Sequence, residues 1–166
     1  MKLIAFTLFV VAALIFTSSC QSKSEKRAEK NAEKMIEQSM GGDVDVKIDD
    51  DKMEIKHDDG TSIKAEGGVK SWPKDIPSEV PEFKFGKIDY VLKQDVGVAN
   101  SWTILFINTP EEATKKYEAL LKDKGYEMMV TTMSAHGTIT AKKDDTIVRV
   151  MTDEKGETTF SVTKKK

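Results

Sequence analysis

The sequence predicts an α+β fold, in which an antiparallel sheet with one packed helix, in the order ββαββββ, follows an N-terminal helix and a small three-stranded β-meander. Two observations predict it. Apolar and polar residues alternate with a period of two through most of the chain after residue 43, as they do in strands with one buried face. Apolar residues recur at helical spacing in two amphipathic segments, residues 25–40 and 109–124.

The composition limits the classes of function. The 166 residues include 26 Lys plus Arg and 28 Asp plus Glu, for a formal net charge of −2. Proteins bind nucleic acid through many basic contacts with phosphates, so this balance predicts no nucleic-acid partner. With 33% charged and 39% hydrophobic residues, the chain is typical of a water-soluble body and not of a protein that crosses a membrane many times.

The first element, residues 1–19, has the layout of a signal peptide. Lys2 supplies a positive charge, an apolar run from Leu3 to Phe16 is interrupted only by Thr7, and small polar residues follow it up to Cys20. A membrane-spanning helix needs about 20 apolar residues, so this shorter run favours a removable export signal over a transmembrane anchor.

Cys20 is the only cysteine in the chain, so no intramolecular disulfide can form and an exported thiol needs another explanation. The string Thr17-Ser18-Ser19-Cys20 after an apolar run resembles the lipobox of bacterial lipoproteins. That resemblance implies a diacylglycerol on the Cys20 thiol, cleavage just before it, further acylation with chains such as palmitate, and membrane lipid as a partner. Two or three acyl chains anchor a protein stably, whereas one does not.

The resemblance also implies an address in the cell envelope. Gln21 follows the cysteine where enteric bacteria have Asp as a retention signal. It therefore implies the outer membrane, facing the periplasm, in a Gram-negative host, and otherwise the outer face of the cytoplasmic membrane.

Residues 20–42 are predicted to form the lipid anchor, a short tether and a helix. Residues 25–40 are rich in Ala, Glu and Lys, and Gly41-Gly42 is a natural helix end. A thin apolar stripe combines Ala28, Ala32, Met35, Ile36 and Met40. This helix either holds the body away from the membrane or packs on the sheet that follows, and the sequence leaves both open.

Residues 43–70 predict the β-meander. Apolar residues alternate with charged ones in three short runs, separated by turns rich in Asp and Gly. The stretch from Gly41 to Lys70 holds 9 acidic residues and 5 lysines. Runs of Asp suggest calcium, but the spacing of an EF-hand loop is missing, and Asp and Gly are ordinary turn residues.

Residues 71–86 predict a stiff strap. Three of the chain's four prolines, Pro73, Pro77 and Pro81, recur every four residues, and proline excludes a helix here. The apolar residues between them indicate a strap laid over a core; a ligand for an aromatic groove of another protein is the alternative. The string Trp-Pro-x-Asp-Ile-Pro-x-x-Val-Pro resembles uncharacterised bacterial lipoproteins, a resemblance that implies no known activity.

Residues 87–166 predict the α+β domain. Two strands are joined by a loop from Gln94 to Ser101, and a helix then begins with Thr109 as N-cap and Glu112 closing a capping box. The stripe expected to be buried on this helix combines Ala113, Tyr117, Leu120 and Leu121. Four further strands follow Gly125, and many threonines are expected on their exposed face, which could serve as a binding surface: Thr131, Thr138, Thr140, Thr146, Thr152, Thr158, Thr159 and Thr163, depending on register.

The sequence contains no catalytic motif, so we predict neither an enzyme nor a cofactor. Met129, Met133 and His136 are weak candidates for Cu(I) ligands, since thioether and imidazole suit that ion. The sequence thus predicts a membrane-anchored envelope lipoprotein that acts as a binding or interaction module, with an envelope protein or polymer as a possible partner. Copper binding or handling is the alternative.

Overall fold

The computed structural model describes residues 23–40, 44–131 and 137–166. Within these ranges two helices are present, α1 (Lys23–Met40) and α2 (Ala113–Asp123). The strands are β1 (Val44–Asp49), β2 (Lys52–His57), β3 (Ser62–Gly67), β4 (Lys87–Asp95), β5 (Ala99–Ile107), β6 (Glu127–Thr131), β7 (Thr138–Lys143), β8 (Thr146–Thr152) and β9 (Thr158–Lys165). The predicted α+β class, with its antiparallel sheet and N-terminal helix, is confirmed.

All nine of these strands form one antiparallel sheet, in the order β1-β2-β3-β4-β5-β9-β8-β7-β6. The meander (β1 to β3) and the C-terminal strands are joined where β3 pairs with β4, from Ser62 opposite Asp95 to Gly67 opposite Tyr90. The strap, residues 71–86, connects these two strands.

The apolar surface of this sheet changes sides between the meander and the remaining strands. Residues opposite each other in register share a face, and one row across the sheet runs through Lys47, Glu54, Lys64, Lys93, Trp102, Val162 and Val148. This strap face is therefore charged on β1 to β3 and apolar from β5 onward. On the meander the buried residues Val46, Ile48 and Ile55 lie on the opposite face.

Each helix covers one of the two apolar surfaces. Helix α1 packs Ala32, Ile36 and Met40 against the apolar residues of the meander. Met35, which was expected in the same stripe, is 70% exposed, and Ala28 is exposed as well. Because α1 packs on the sheet, the spacer alternative does not describe this helix.

The strap and α2 cover the larger apolar surface together. Ile76, Val80 and Phe83 of the strap are buried, and the Phe83 ring packs against those of Phe106 and Tyr117. The Tyr117 hydroxyl on α2 donates a hydrogen bond of 2.6 Å to the carbonyl oxygen of Pro81.

The capping box predicted for α2 does not form. The helix begins at Ala113, and its N-cap residue Glu112 makes no side-chain capping bond. Thr109 is held by its backbone instead, since its N–H donates to the Gly156 carbonyl at 2.9 Å. Leu120, predicted to be buried, is 40% exposed, whereas Glu118 is buried beside Lys122 at 2.6 Å.

The loop predicted from Gln94 to Ser101 is mostly strand, because β4 continues to Asp95 and β5 begins at Ala99. Three of the threonines expected on the exposed face, Thr146, Thr152 and Thr158, are buried on the strap face instead. The register places them in phase with Val148, Val150 and Phe160. None of the helices in the described part of the chain is both long and apolar enough to span a membrane.

Candidate functional site

A groove of about 730 Å³ lies on the strap face, between the charged strands of the meander and the first residues of the strap. We call it the meander–strap groove. It exists because the strap covers the apolar part of this face and stops where the charged part begins. Trp102 on β5 and Lys93 on β4, directly opposite each other, mark that boundary.

The floor of the groove is a set of paired charges on the meander. Lys52 lies 3.0 Å from Glu66, and Lys64 lies 3.0 Å from Glu54, which also contacts Lys56 at 3.2 Å. The contact with Lys64 is the largest influence on Glu54 and holds the pKa of that carboxyl below its usual range. The hydrogen bond from Lys52 to Glu66 raises the Lys52 pKa. Glu54 and Lys52 are therefore charged at neutral pH.

The wall of the groove combines a carboxylate, a cation and an aromatic ring. Asp75 of the strap pairs with Lys93, whose ammonium lies 5.6 Å from the centroid of the Trp102 ring. Burial acts to raise the pKa of Asp75, but the hydrogen bond from Lys93 and the indole N–H of Trp102 outweigh it, so that this pKa lies below its usual value. The indole Nε1 is buried and faces the carboxylate outside strict hydrogen-bond geometry.

The wall is fixed in place by packing. Trp102 is 4% exposed, and Trp72 packs edge-on against Phe160, with 5.2 Å between ring centroids. The strap residues that follow are held by the buried Ile76 and Val80. The groove is therefore shaped by rigid neighbours and needs little reorganisation to receive a ligand.

The lining has a small excess of positive charge, with five lysines and four carboxylates. Lys74 is exposed at the mouth and makes no ion pair with any residue in the described ranges. A ligand can meet ammonium groups, carboxylates and the edge of an aromatic wall in one place. Across residues 23–40, 44–131 and 137–166, no group of three or more His, Cys, Asp or Glu side chains is placed to hold a metal ion.

The site residues predicted from sequence are mostly not tested by this structure. Cys20, Met133 and His136 lie outside the described residues. Met129 is 57% exposed and lies at a register shift in β6, while its neighbour Met128 packs on the main core. Copper binding by these residues stays a prediction.

Sequence reasoning missed the groove. Its charged residues were visible as the polar half of the meander's alternation, and Trp72 and Asp75 were visible in the strap. Their convergence depends on the pairing of β3 with β4 across the 19-residue connection between Gly67 and Lys87. No local pattern reports that pairing.

A second surface lies on the opposite face of β5, β7, β8 and β9. It carries hydroxyl groups, including Thr103 and Ser161, whose oxygens are 3.4 Å apart, and the exposed side chains of Arg149 and Met151. Thr138, Thr140, Thr159 and Thr163 lie on this face, as the register shows. This surface lies on the side of the sheet opposite the meander–strap groove.

Comparison with known proteins finds no match for this chain among family models, curated proteins or solved structures. Its function is therefore inferred from its own residues and geometry.

Proposed function

We propose that this protein is a membrane-anchored cell-envelope lipoprotein that acts as a binding module through its meander–strap groove. In this proposal, residues 1–19 are the export signal and Cys20 carries the lipid. The ββαββββ unit of residues 87–166 is the rigid support on which the strap and the meander form the site.

The anchor is supported by the sequence before α1 and by where α1 begins. Lys23 is only three residues beyond Cys20. Three residues reach at most about 10 Å, so a lipid on Cys20 holds the start of α1 close to the bilayer. Because α1 packs on β1, the sheet is then held near the membrane as well.

The groove is the observation that carries the binding role. Concave surfaces with a few fixed polar groups beside an aromatic wall are the usual form of ligand sites. The paired lysines and carboxylates suit a ligand with charges of both signs. The partly buried ring of Trp72, which also lines the groove, suits a flat apolar surface such as a sugar ring or a peptide side chain. Peptide-bearing glycan fragments of a cell wall combine these features and lie in the proposed compartment.

Intrinsic fluorescence tests this directly, because the chain has two tryptophans and both line the groove. We expect a soluble disaccharide-peptide fragment of cell wall to change the tryptophan emission in a saturable way. Lys93→Ala and Lys64→Ala should each weaken binding about tenfold, the worth of one charge-assisted hydrogen bond. Arg149→Ala, on the opposite face, is the matched control and should bind as the wild type does.

Two results of this titration contradict the groove. One is an emission change that does not saturate. The other is equal affinity in the Lys93, Lys64 and Arg149 variants, which would put the ligand elsewhere on the chain.

The anchor is tested separately with Cys20→Ala. We expect this variant to lose labelling by fatty-acid analogues and to leave the membrane fraction or stay unprocessed. Labelling that survives the substitution would contradict lipidation at Cys20, without bearing on the groove.

A further inference from the structure

The edge of the sheet at β1 is closed by side chains of α1. Edge strands present backbone N–H groups that have no partner strand. On β1, the Ile48 N–H donates to Glu33 Oε1 at 2.8 Å, and the Val46 N–H donates to Glu37 Oε1 at 3.4 Å. Both N–H groups thus point away from β2, and two carboxylates occupy the places that carbonyl oxygens of a further strand would take.

The geometry of the two elements explains this match. Residues four apart on a helix rise by about 6 Å, and residues two apart on a strand by about 6.7 Å. Glu33 and Glu37 therefore meet alternate N–H groups of β1 in step. Helix α1 imitates a tenth strand at this edge.

Helix α1 is attached to the sheet by a small apolar contact. Between Lys26 and Met40 no side chain of α1 is fully buried, and the apolar contact consists of the partly buried Ala32, Ile36 and Met40. The main core, which includes Tyr117 and Phe160, is a separate cluster on the other face. Release of α1 therefore opens the β1 edge and leaves the main core in place.

We propose that β1 is a self-association edge covered by α1, and that two copies of this chain pair through β1 in antiparallel fashion when α1 is released. The charges of β1 and its end at Asp49 together select the register. When Val46 faces Val46 of the second copy, each Asp45 faces a Lys47, and Val44 faces Ile48. Opposite charges then meet twice in closely spaced pairs, and the apolar residues meet on the other face.

The neighbouring register is unfavourable. When Lys47 faces Lys47, each Asp45 faces an Asp49, so that like charges meet at every position of the charged face. With Ile48 facing Ile48, each Lys47 would also face an Asp49, but Val46 would then face Asp50, which lies in the turn after β1. The alignment on Val46 therefore is the one that pairs opposite charges within the strand itself. A two-fold axis through Val46 closes the pair, and no further edge is left for growth at β1.

Sedimentation of the detergent-solubilised full chain tests the proposal. The release variant combines Glu33→Ala, Ile36→Ser and Glu37→Ala. We expect the wild type to sediment as a monomer and the release variant to have twice that protein mass. The variant Glu33→Gln/Glu37→Gln keeps carbonyl acceptors and should stay monomeric. Tryptophan emission from the main core, unchanged from the wild type, verifies that the sheet of the release variant is intact.

Charge exchange shows whether β1 itself forms the contact. Adding Lys47→Glu to the release variant places a carboxylate opposite Asp45 of the second copy, so we expect the protein to return to the monomer. Adding Asp45→Lys as well restores opposite charges and should restore the dimer. Hydrogen exchange at the Val46 and Ile48 amides should be fast in the dilute release variant and slow at concentrations where it dimerises.

Four outcomes overturn the proposal. In the first two, the release variant stays monomeric, with the Val46 and Ile48 amides either exchanging freely or remaining protected. In the third, the release variant carrying Lys47→Glu has the same mass as the one carrying both Lys47→Glu and Asp45→Lys. In the fourth, β1 of the release variant binds an unrelated extended peptide and no dimer forms. None of them bears on ligand binding at the meander–strap groove.

Discussion

The hydroxyl of Tyr117 on α2 donates a hydrogen bond of 2.6 Å to the Pro81 carbonyl of the strap, and the phenol ring is completely buried. This bond joins the two elements that cover the main apolar surface. Burial raises the pKa of Tyr117 well above its ordinary value, so the hydroxyl remains a donor throughout the physiological range.

The first prediction concerns this bond. Tyr117→Phe leaves the Pro81 carbonyl without its donor and should lower the free energy of unfolding by about 1–2 kcal/mol, measured by urea denaturation. Tyr126→Phe is the matched control, because the buried Tyr126 hydroxyl has no hydrogen-bond partner among the described residues. Its removal should change stability by less than about 0.5 kcal/mol. Equal losses in the two variants would show that the strap is not held in this way.

The second prediction concerns the three buried hydroxyls of Thr114, Thr152 and Thr158. Thr152 lies 2.9 Å from Thr114 and 2.8 Å from Thr158, so it links α2 to two strands. Thr152→Val leaves both neighbours unpaired and should cost about 2 kcal/mol in urea denaturation. Thr159→Val, on the opposite face, should cost less than about 0.5 kcal/mol. A Thr152→Val variant with an unchanged free energy of unfolding would contradict the link between α2 and the two strands.

The third prediction concerns Gly156, where the β8–β9 turn meets the start of the α2 segment. Its φ is +75°, and a Cβ there would lie 2.9 Å from the Thr109 carbonyl oxygen. Gly156→Ala should cost about 3 kcal/mol, from left-handed backbone strain and displacement of Thr109. Gly60→Ala has similar strain, with φ +84° and nothing within 4 Å, and should cost only about 1 kcal/mol. Similar costs for both would contradict close packing at Thr109.

The fourth prediction concerns pH and the groove wall. The pKa of Asp75 lies below its ordinary value of 3.8 because the hydrogen bond from Lys93 and the nearby indole N–H of Trp102 outweigh the effect of burial. A lowered carboxyl pKa stabilises the folded state above the unfolded value and ceases to do so as pH falls through the folded value. Tryptophan emission should therefore show a transition below pH 3.8. Asp75→Asn should abolish this transition, and a transition that survives in that variant would contradict the assignment.

The local patterns of the sequence predict the elements well, and their failures have physical causes. The alternation of Val44, Val46 and Ile48 predicts β1 and its buried face. It does not show that this face is opposite to that of Trp102, because the relation between them depends on a register set through β3 and β4. The meander–strap groove, which forms where the two apolar surfaces change sides, was for that reason not predicted.

The capping box predicted at the start of α2 does not form, and the cause is again a set of tertiary contacts. Thr109 and Glu112 have the spacing of a capping box, yet the Thr109 backbone is bound to Gly156 and its side chain lies against Gly86, where a Cβ would be only 2.8 Å from Oγ1. These contacts override the local capping preference. Leu120 was predicted to be buried with Leu121, and the helix instead turns Glu118 inward beside Lys122.

Site-specific photocrosslinking in the intact envelope tests whether a ligand binds in the meander–strap groove. A photoreactive side chain is placed at Lys74, at the mouth of the groove, or at Arg149 on the opposite face, in the membrane-anchored full chain. We expect a crosslink to cell-wall peptide or glycan from position 74 and none from position 149. Adding Lys93→Ala should abolish the crosslink from position 74. Crosslinks from position 149 alone, or from both positions regardless of Lys93, would contradict binding through the meander–strap groove.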